Sequence, residues 1–193
     1  MMKTIKGTLT EQNLLKAFAG ESQVRNRYTY FSEIAHAEGY EQIAAIFEET
    51  SLHEKEHAKR FFNYLEGGEV AVTASFHAGI IGSTKDNLVS AATGEYDEWS
   101  ILYPAYAEVA QSEGFYDIAE TFRQICVGER GHEARYLQLL ERLDRGDFFV
   151  REEPTIWFCR NCGYVSAKSN KAPELCPACK HPKSYFEPQR YNY

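Results

Sequence analysis

The sequence predicts an all-α bundle of four long helices with one long crossover, followed by a small metal-holding module. Three observations lead there. Apolar residues recur at helical spacing through most of the first 146 residues, with breaks at glycines. Within that region a helical hairpin occurs twice. Four of the five cysteines crowd into residues 159–179 as two Cys-x-x-Cys pairs. A chain of 193 residues suits one good-sized domain plus a small one. The boundaries fall at 1–146 and 157–193, with a charged linker, 147–156, between them.

Each helix has its own signals. Thr8 followed by Glu11 reads as a capping box, and the helical pattern then runs to about Glu38, where Gly39 breaks it. A second helix is expected from Tyr40 to Glu66, stopped by Gly67-Gly68. Residues 67–85 have no helical period and are too long for a tight turn, so they form the crossover. Asp86 is expected to cap a third helix reaching Glu113, kinked near its middle by Pro104. The fourth runs from beyond Gly114 to about Arg145.

The repeat is visible by eye. "AEGYEQIAAIFEETSLHEKEHAKRF" at 37–61 lies over "SEGFYDIAETFRQICVGERGHEARY" at 112–136, displaced by 75. Gly39, Ile43, Ala44, Phe47, Glu54 and His57 fall on Gly114, Ile118, Ala119, Phe122, Glu129 and His132. Upstream, "GES" at 20–22 falls on "GEY" at 94–96, displaced by 74, so the second copy carries one extra residue. Two such hairpins packed with pseudo-twofold symmetry make a ferritin-like four-helix bundle.

Polar residues interrupt all four apolar stripes. Glu54 and His57 lie in line with Phe47, Thr50, Phe61 and Leu65, and Glu129 and His132 with Phe122, Ile125, Tyr136 and Leu139. Glu21 shares a stripe with Leu14, Phe18 and Tyr28, and Glu95 with Leu88, Ala91 and Leu102. Glu21 stands 18 residues before Gly39 and Glu54 15 after it. At about 1.5 Å per residue the two meet within roughly one turn of the same height. An unpaired buried carboxylate costs several kcal/mol. Four inward carboxylates at one level, with two Glu-x-x-His pairs, answer that cost as a carboxylate-bridged dinuclear metal site. Glu98, one turn after Glu95, adds a fifth carboxylate. Five glutamates give −5 against +4 for two ferrous or +6 for two ferric ions, nearly neutral in both states. Oxygen ligands with two imidazoles suit iron or manganese better than zinc. Tyr28 and Tyr103, about two turns beyond Glu21 and Glu95, are placed to hydrogen-bond ligand carboxylates. His53 and Glu56 flank the ligand face and are expected in solvent. Cys126 reads as a structural thiol.

The cysteine stretch, "WFCRNCGYVSAKSNKAPELCPACKHPKSYF", sets Cys159/Cys162 and Cys176/Cys179 13 residues apart. Four thiolates at this spacing make a closed tetrahedral site. Spacing alone fits both a structural zinc ribbon and a one-iron site. With few apolar residues, the module draws much of its folding energy from the metal. A formal net charge of −7 argues against nucleic acid. No apolar run has the roughly 18–20 residues of a membrane span, and "MMKTIKGTLTEQN" lacks the apolar middle of a signal peptide. A cytoplasmic protein is expected.

With these residues in place the chain resembles the rubrerythrin family. "AFAGESQVRNRY", "EKEHAKR", "CRNCGY" and "APELCPAC" stand in that family's order, and the resemblance covers essentially the whole chain. It implies a ferritin-like di-iron domain joined to a C-terminal rubredoxin-like domain. The implied di-iron ligands are Glu21, Glu54, His57, Glu95, Glu98, Glu129 and His132. Cys159, Cys162, Cys176 and Cys179 would hold one further iron, which favours iron over zinc at the cysteines. The resemblance also implies hydrogen peroxide as substrate, a reductase or rubredoxin as electron donor, and a homodimer or higher homo-oligomer. In this picture Glu98 and His57 exchange on one iron as it changes oxidation state, and Tyr28 and Tyr103 support the reaction. Two other functions compete: a ferroxidase or oxygen reductase, and a non-catalytic iron-binding electron carrier. The fused cysteine module favours the peroxidase.

Overall fold

The computed structural model describes residues 3–191. Five α-helices come first: α1 (Leu9–Ala37), α2 (Glu41–Phe62), α3 (Thr84–Asp97), α4 (Tyr103–Ser112) and α5 (Tyr116–Asp144). A π-helical turn, Glu98–Leu102, joins α3 to α4, so the two make one rod of the four-rod bundle. Four short strands follow: β1 (Val150–Thr155), β2 (Trp157–Cys159), β3 (Ser169–Lys171) and β4 (Phe186–Pro188). No helix among the described residues is long and apolar enough to cross a membrane.

The two hairpin turns are built alike. Gly39 and Gly114 take φ of +82° and +80°, a left-handed conformation that costs glycine little. The next N–H reaches back in both: Tyr40 to the Ala35 carbonyl and Phe115 to the Ala110 carbonyl, each at 2.8 Å. Thr8 caps α1 by accepting from the Glu11 N–H, while the Glu11 carboxylate accepts from Gly7 rather than from Thr8.

Three helix limits differ from those expected, each for a local reason. Helix α2 stops at Phe62, because Glu66 binds the N-terminal segment through the Thr4 hydroxyl and the Ile5 N–H. Ser83, not Asp86, caps α3. Asp86 sits three residues later and returns the bond to the Ser83 N–H, completing a capping box. Just before Pro104, where a kink is expected, the helix contains a π turn, in which the Tyr103 N–H bonds the Glu98 carbonyl five residues back. Pro104 then falls in the first turn of α4, where a missing N–H costs little.

That π turn is the extra residue of the second copy. Glu21 and Glu95 are 74 apart, but Tyr28 and Tyr103 are 75 apart, so the insertion lies between them. A turn closed by i→i−5 bonds absorbs one residue without breaking the rod.

The core is repeated too. One apolar cluster contains Tyr28, Ile43, Ala44, Phe47, Leu88, Ala91 and Tyr136. The other contains their counterparts Tyr103, Ile118, Ala119, Phe122, Leu14, Ala17 and Phe61. The strand module has its own small core of Trp157, Ala172, Phe186 and two of the cysteines. It sits beside the α1–α2 turn: Ser184 packs near Gly39, and Tyr40 stacks on Phe149, with ring centroids 6.1 Å apart.

Candidate metal centre

Between the two apolar clusters lies a polar layer. Glu21 comes from α1, Glu54 and His57 from α2, Glu95 from α3, and Glu129 and His132 from α5. The four carboxylates are fully buried. Their donor atoms form two overlapping groups, Glu21/Glu54/His57/Glu129 and Glu54/Glu95/Glu129/His132, each within 4.8 Å. Glu54 and Glu129 belong to both.

Each imidazole turns its Nδ1 into the layer. His57 Nδ1 lies 2.9 Å from Glu54, 2.8 Å from Glu129 and 4.0 Å from Glu21. His132 Nδ1 lies 3.1 Å from Glu54, 2.9 Å from Glu129 and 3.3 Å from Glu95. One nitrogen cannot satisfy three carboxylates. Both Glu129 oxygens, Glu54 Oε1 and Glu21 Oε2 are buried without a hydrogen-bond partner, although some lie at ion-pair distance from an imidazole. Convergent lone pairs with no donor fit a pair of cations, so the residues present suit a dinuclear metal site.

The electrostatics of the metal-free layer agree. Burial pushes Glu21 well above the usual carboxylate range, with Glu129, Glu98 and Glu54 adding to it. Burial and the charge of Glu54 take Glu95 to about 8. Burial would raise Glu54 as well, but hydrogen bonds from His132 and His57 outweigh it and hold Glu54 at about 2. Burial opposes charge on the imidazoles, yet the carboxylates around them lift His57 to about 10 and His132 to about 12. In the absence of metal, protons supply the positive charge.

The tyrosines cross between hairpins. Tyr28 on α1 donates to Glu95 on α3, and Tyr103 on α4 donates to Glu21 on α1, both at 2.5 Å. Glu98 is buried but belongs to neither donor group. It stands in the wall of a cavity of about 600 Å³ beneath crossover residues 74–82, beside Arg27 and Tyr106. His53 is exposed, as expected, yet its ring also lies against His132, with Nδ1 3.1 Å from its Nε2. Its position off the ligand stripe hid this contact, which is made between helices. Cys126 is half-buried, its thiol pushed up to about 11 by burial and Glu129, as suits an inert thiol.

The four remaining cysteines converge at the end of the strand module. The sulfurs of Cys159 and Cys179 are 3.8 Å apart, and those of Cys162 and Cys176 3.6 Å. A tetrahedron with metal–sulfur bonds of about 2.3 Å has edges of about 3.8 Å. The knuckles match: Gly163 and Lys180, each just after its second cysteine, have φ of +76° and +62°. The His181 N–H lowers the Cys179 thiol to about 5, the thiolate a metal requires.

The family model described as Rubrerythrin matches residues 12–140, and the one described as Rubrerythrin, rubredoxin-like domain matches 157–187. The chain belongs to the rubrerythrin family. It is 61% identical over 193 residues to a rubrerythrin of Porphyromonas gingivalis, covering all of this chain and 96% of that one. Identity to a rubrerythrin of Nitratidesulfovibrio vulgaris is 51% over 186 residues, covering 96% and 97%. Among solved structures, fully reduced, all-ferrous nigerythrin matches with a TM-score of 0.63 at 34% identity, covering 97% of this chain and 89% of that one. The cofactors of a rubrerythrin are therefore those of this chain: a carboxylate/histidine di-iron site and a rubredoxin-like four-cysteine iron site.

Proposed function

We propose that this rubrerythrin is a cytoplasmic non-haem di-iron peroxidase that reduces hydrogen peroxide to water. The observation that carries the reading is the pair of overlapping donor groups sharing Glu54 and Glu129, joined in one chain to a four-cysteine site. In this reading Glu54 and Glu129, which belong to both donor groups, would help to hold both metals. Glu21 and His57 complete one, and Glu95 and His132 the other. Cys159, Cys162, Cys176 and Cys179 hold the third iron. The di-iron pair, when bound, supplies the two electrons that break the O–O bond, and the cysteine-bound iron renews them singly.

The chain's own residues do the rest. Tyr28 and Tyr103 fix the carboxylates of Glu95 and Glu21, so the layer keeps its shape as its charge changes. The apolar clusters on both sides keep bulk water out. Glu98 lines the cavity, which could admit peroxide, and on the family resemblance it would exchange with His57 when a bound metal pair changed oxidation state. Exchanging an anion for a neutral imidazole offsets part of the charge change.

Within the division at 1–146, 147–156 and 157–193 the middle segment ties the two centres together: Phe148 packs in the bundle's core, and β1 pairs with β3 of the module. Ser184 and Tyr40 place the cysteine module near the start of α2, and Glu54 lies 13 residues after Glu41. At about 1.5 Å per residue, roughly 20 Å of helix runs from Glu41 to Glu54. The reading is completed, as the family resemblance implies, by a homodimer in which the module of one protomer serves the di-iron site of the other, with a reductase or rubredoxin as ultimate donor.

Stopped-flow mixing of the anaerobically reduced protein with hydrogen peroxide tests the reading. One peroxide should be consumed per di-iron pair, faster than the same protein reacts with O₂. Faster reaction with O₂ would overturn it.

A further inference from the structure

Four side chains beside the polar layer interlock, and each directly follows a layer residue or Glu98 in the chain: Tyr96 after Glu95, Trp99 after Glu98, Arg130 after Glu129 and Glu133 after His132. The half-buried Trp99 donates its indole N–H to Glu133 Oε2 at 2.7 Å. The Arg130 guanidinium stands 5.6 Å from the indole centroid, and the Tyr96 ring meets the indole edge-on at 5.3 Å. Tyr96 is 47% exposed, so the cluster runs from beside the layer to solvent.

The chain's other tryptophan, Trp157, provides a comparison. It too lies under a guanidinium, that of Arg151 at 5.4 Å, but its N–H goes to the Ser169 carbonyl. A carbonyl accepts a hydrogen bond without taking the proton, whereas a carboxylate can do both. A cation over the ring opposes positive charge on it. An indole so placed gives up an electron only if its N–H proton leaves as well, and of the two only Trp99 has a carboxylate to receive it. Tyr28 and Tyr103 also donate to carboxylates, but to Glu95 and Glu21, which the proposed metals engage. Glu133 belongs to neither donor group.

We infer that Trp99 is a one-electron reserve for the di-iron centre, with Tyr96 as its outlet to solvent. The inference rests on the peroxidase reading above, in which the pair needs two electrons but is refilled singly, and so passes through a state holding one. Hydrogen peroxide takes up two electrons and two protons to give two waters. Met by a single electron, it yields hydroxide and a hydroxyl radical. Trp99 supplies the missing electron. One proton comes from solvent and the other from the indole N–H, which passes along the bond to Glu133 and on to water. Trp99 is left as a neutral radical. Tyr96 then gives it an electron and, through solvent, a proton, so the radical ends on an exposed phenol. A soluble thiol refills that phenol by giving up a hydrogen atom.

The test is anaerobic mixing of the full-length, iron-loaded protein with one equivalent of hydrogen peroxide and a nitroso spin trap, followed by peptide mass spectrometry. The pair is either fully reduced or reduced by one electron. In the half-reduced protein, adducts should form on Trp99 and Tyr96, both in the tryptic peptide Asp86–Arg123, and not on Trp157. Fully reduced protein should carry far fewer. Glu133→Gln still accepts the indole hydrogen bond but cannot take the proton, so the adducts should fall by about tenfold or more. Half-reduced protein without adducts on Trp99 and Tyr96, native-like adducts in Glu133→Gln, or equal adducts in the metal-free chain would overturn the inference and leave the peroxidase reading standing. Fully reduced protein that consumes no peroxide would overturn that reading, and this inference with it.

Discussion

Replacing Tyr103 with phenylalanine removes one oxygen from the centre of the bundle and tests how the carboxylate layer is held. The Tyr103 ring packs on Phe61 and Phe122, with centroids 5.5 and 5.7 Å away, and phenylalanine keeps both contacts. What is lost is the donor to Glu21 Oε1. Glu21 is fully buried and its other oxygen already lacks a partner, so the carboxyl is left with no hydrogen bond. Stranding a buried acceptor costs about 1–3 kcal/mol. For a domain of this size each kcal/mol shifts the melting temperature by about 2–4 °C. The metal-free variant should therefore melt about 2–12 °C below the parent, as read by calorimetry.

The metal-loaded pair should differ less, because a cation at Glu21 engages the stranded lone pairs. Tyr28→Phe should repeat the pattern through Glu95, its equivalent partner. Tyr106→Phe is the control. That ring packs in the same cluster but its hydroxyl makes no hydrogen bond among the described residues, so the change should fall within about 0.5 kcal/mol. If Tyr103→Phe melts like the parent, or Tyr106→Phe falls equally far, the hydroxyl is not what supports Glu21.

Cys176→Ser should leave far-ultraviolet dichroism and di-iron loading nearly unchanged while abolishing turnover with an external reductase. Chemically reduced variant should still consume one peroxide per di-iron pair, and intact turnover would show that electrons enter elsewhere. Metal uptake should release about three protons near pH 7, from His57, His132 and Glu95, all shifted upward in the metal-free layer. Competition with these protons should make affinity climb as pH rises through about 8 and on toward 10. The same groups bind protons more tightly folded than unfolded. The metal-free chain should therefore lose stability as pH rises from about 5 to 10, through the folded pKa values of Glu95 and His57. A melting temperature that rises over that range would contradict the assignment. Glu98→Ala should still bind two irons, because Glu98 lies outside both donor groups, but should be reoxidised by peroxide more slowly. Reoxidation at the native rate would remove Glu98 from the exchange.

Much of this was legible in the sequence because a repeat turns weak signals into strong ones. One Glu-x-x-His is a surface commonplace, whereas two at matched heights, facing two more carboxylates, leave little but a metal to account for them. Features that depend on a single copy were harder to see. The offset of 74 against 75 revealed an extra residue but not whether it would make a kink, a loop or a π turn. Pro104 suggested a kink because a missing N–H is easy to read locally, while the i→i−5 bond of the π turn is not. Ser83 was passed over as a cap because the crossover hides where helical backbone begins. The contact of His53 with His132 is not legible because the two lie on different helices, and no periodicity within α2 reports a contact to α5.

The departures from symmetry are the more informative half of the fold. The matched parts, from Leu14 and Leu88 to Phe47 and Phe122, build two apolar walls that isolate a layer of carboxylates. Symmetry alone would make two equivalent metals with equivalent ligands. The mismatches make them unequal. The inserted residue opens the π turn at Glu98, giving one side of the layer an additional carboxylate facing a cavity. Where the first copy carries His53 the second carries Gly128, so one imidazole is backed by a ring and the other is not. Both changes fall on the one polar layer: a buried carboxylate in the wall of a cavity, and an imidazole with no second ring behind it.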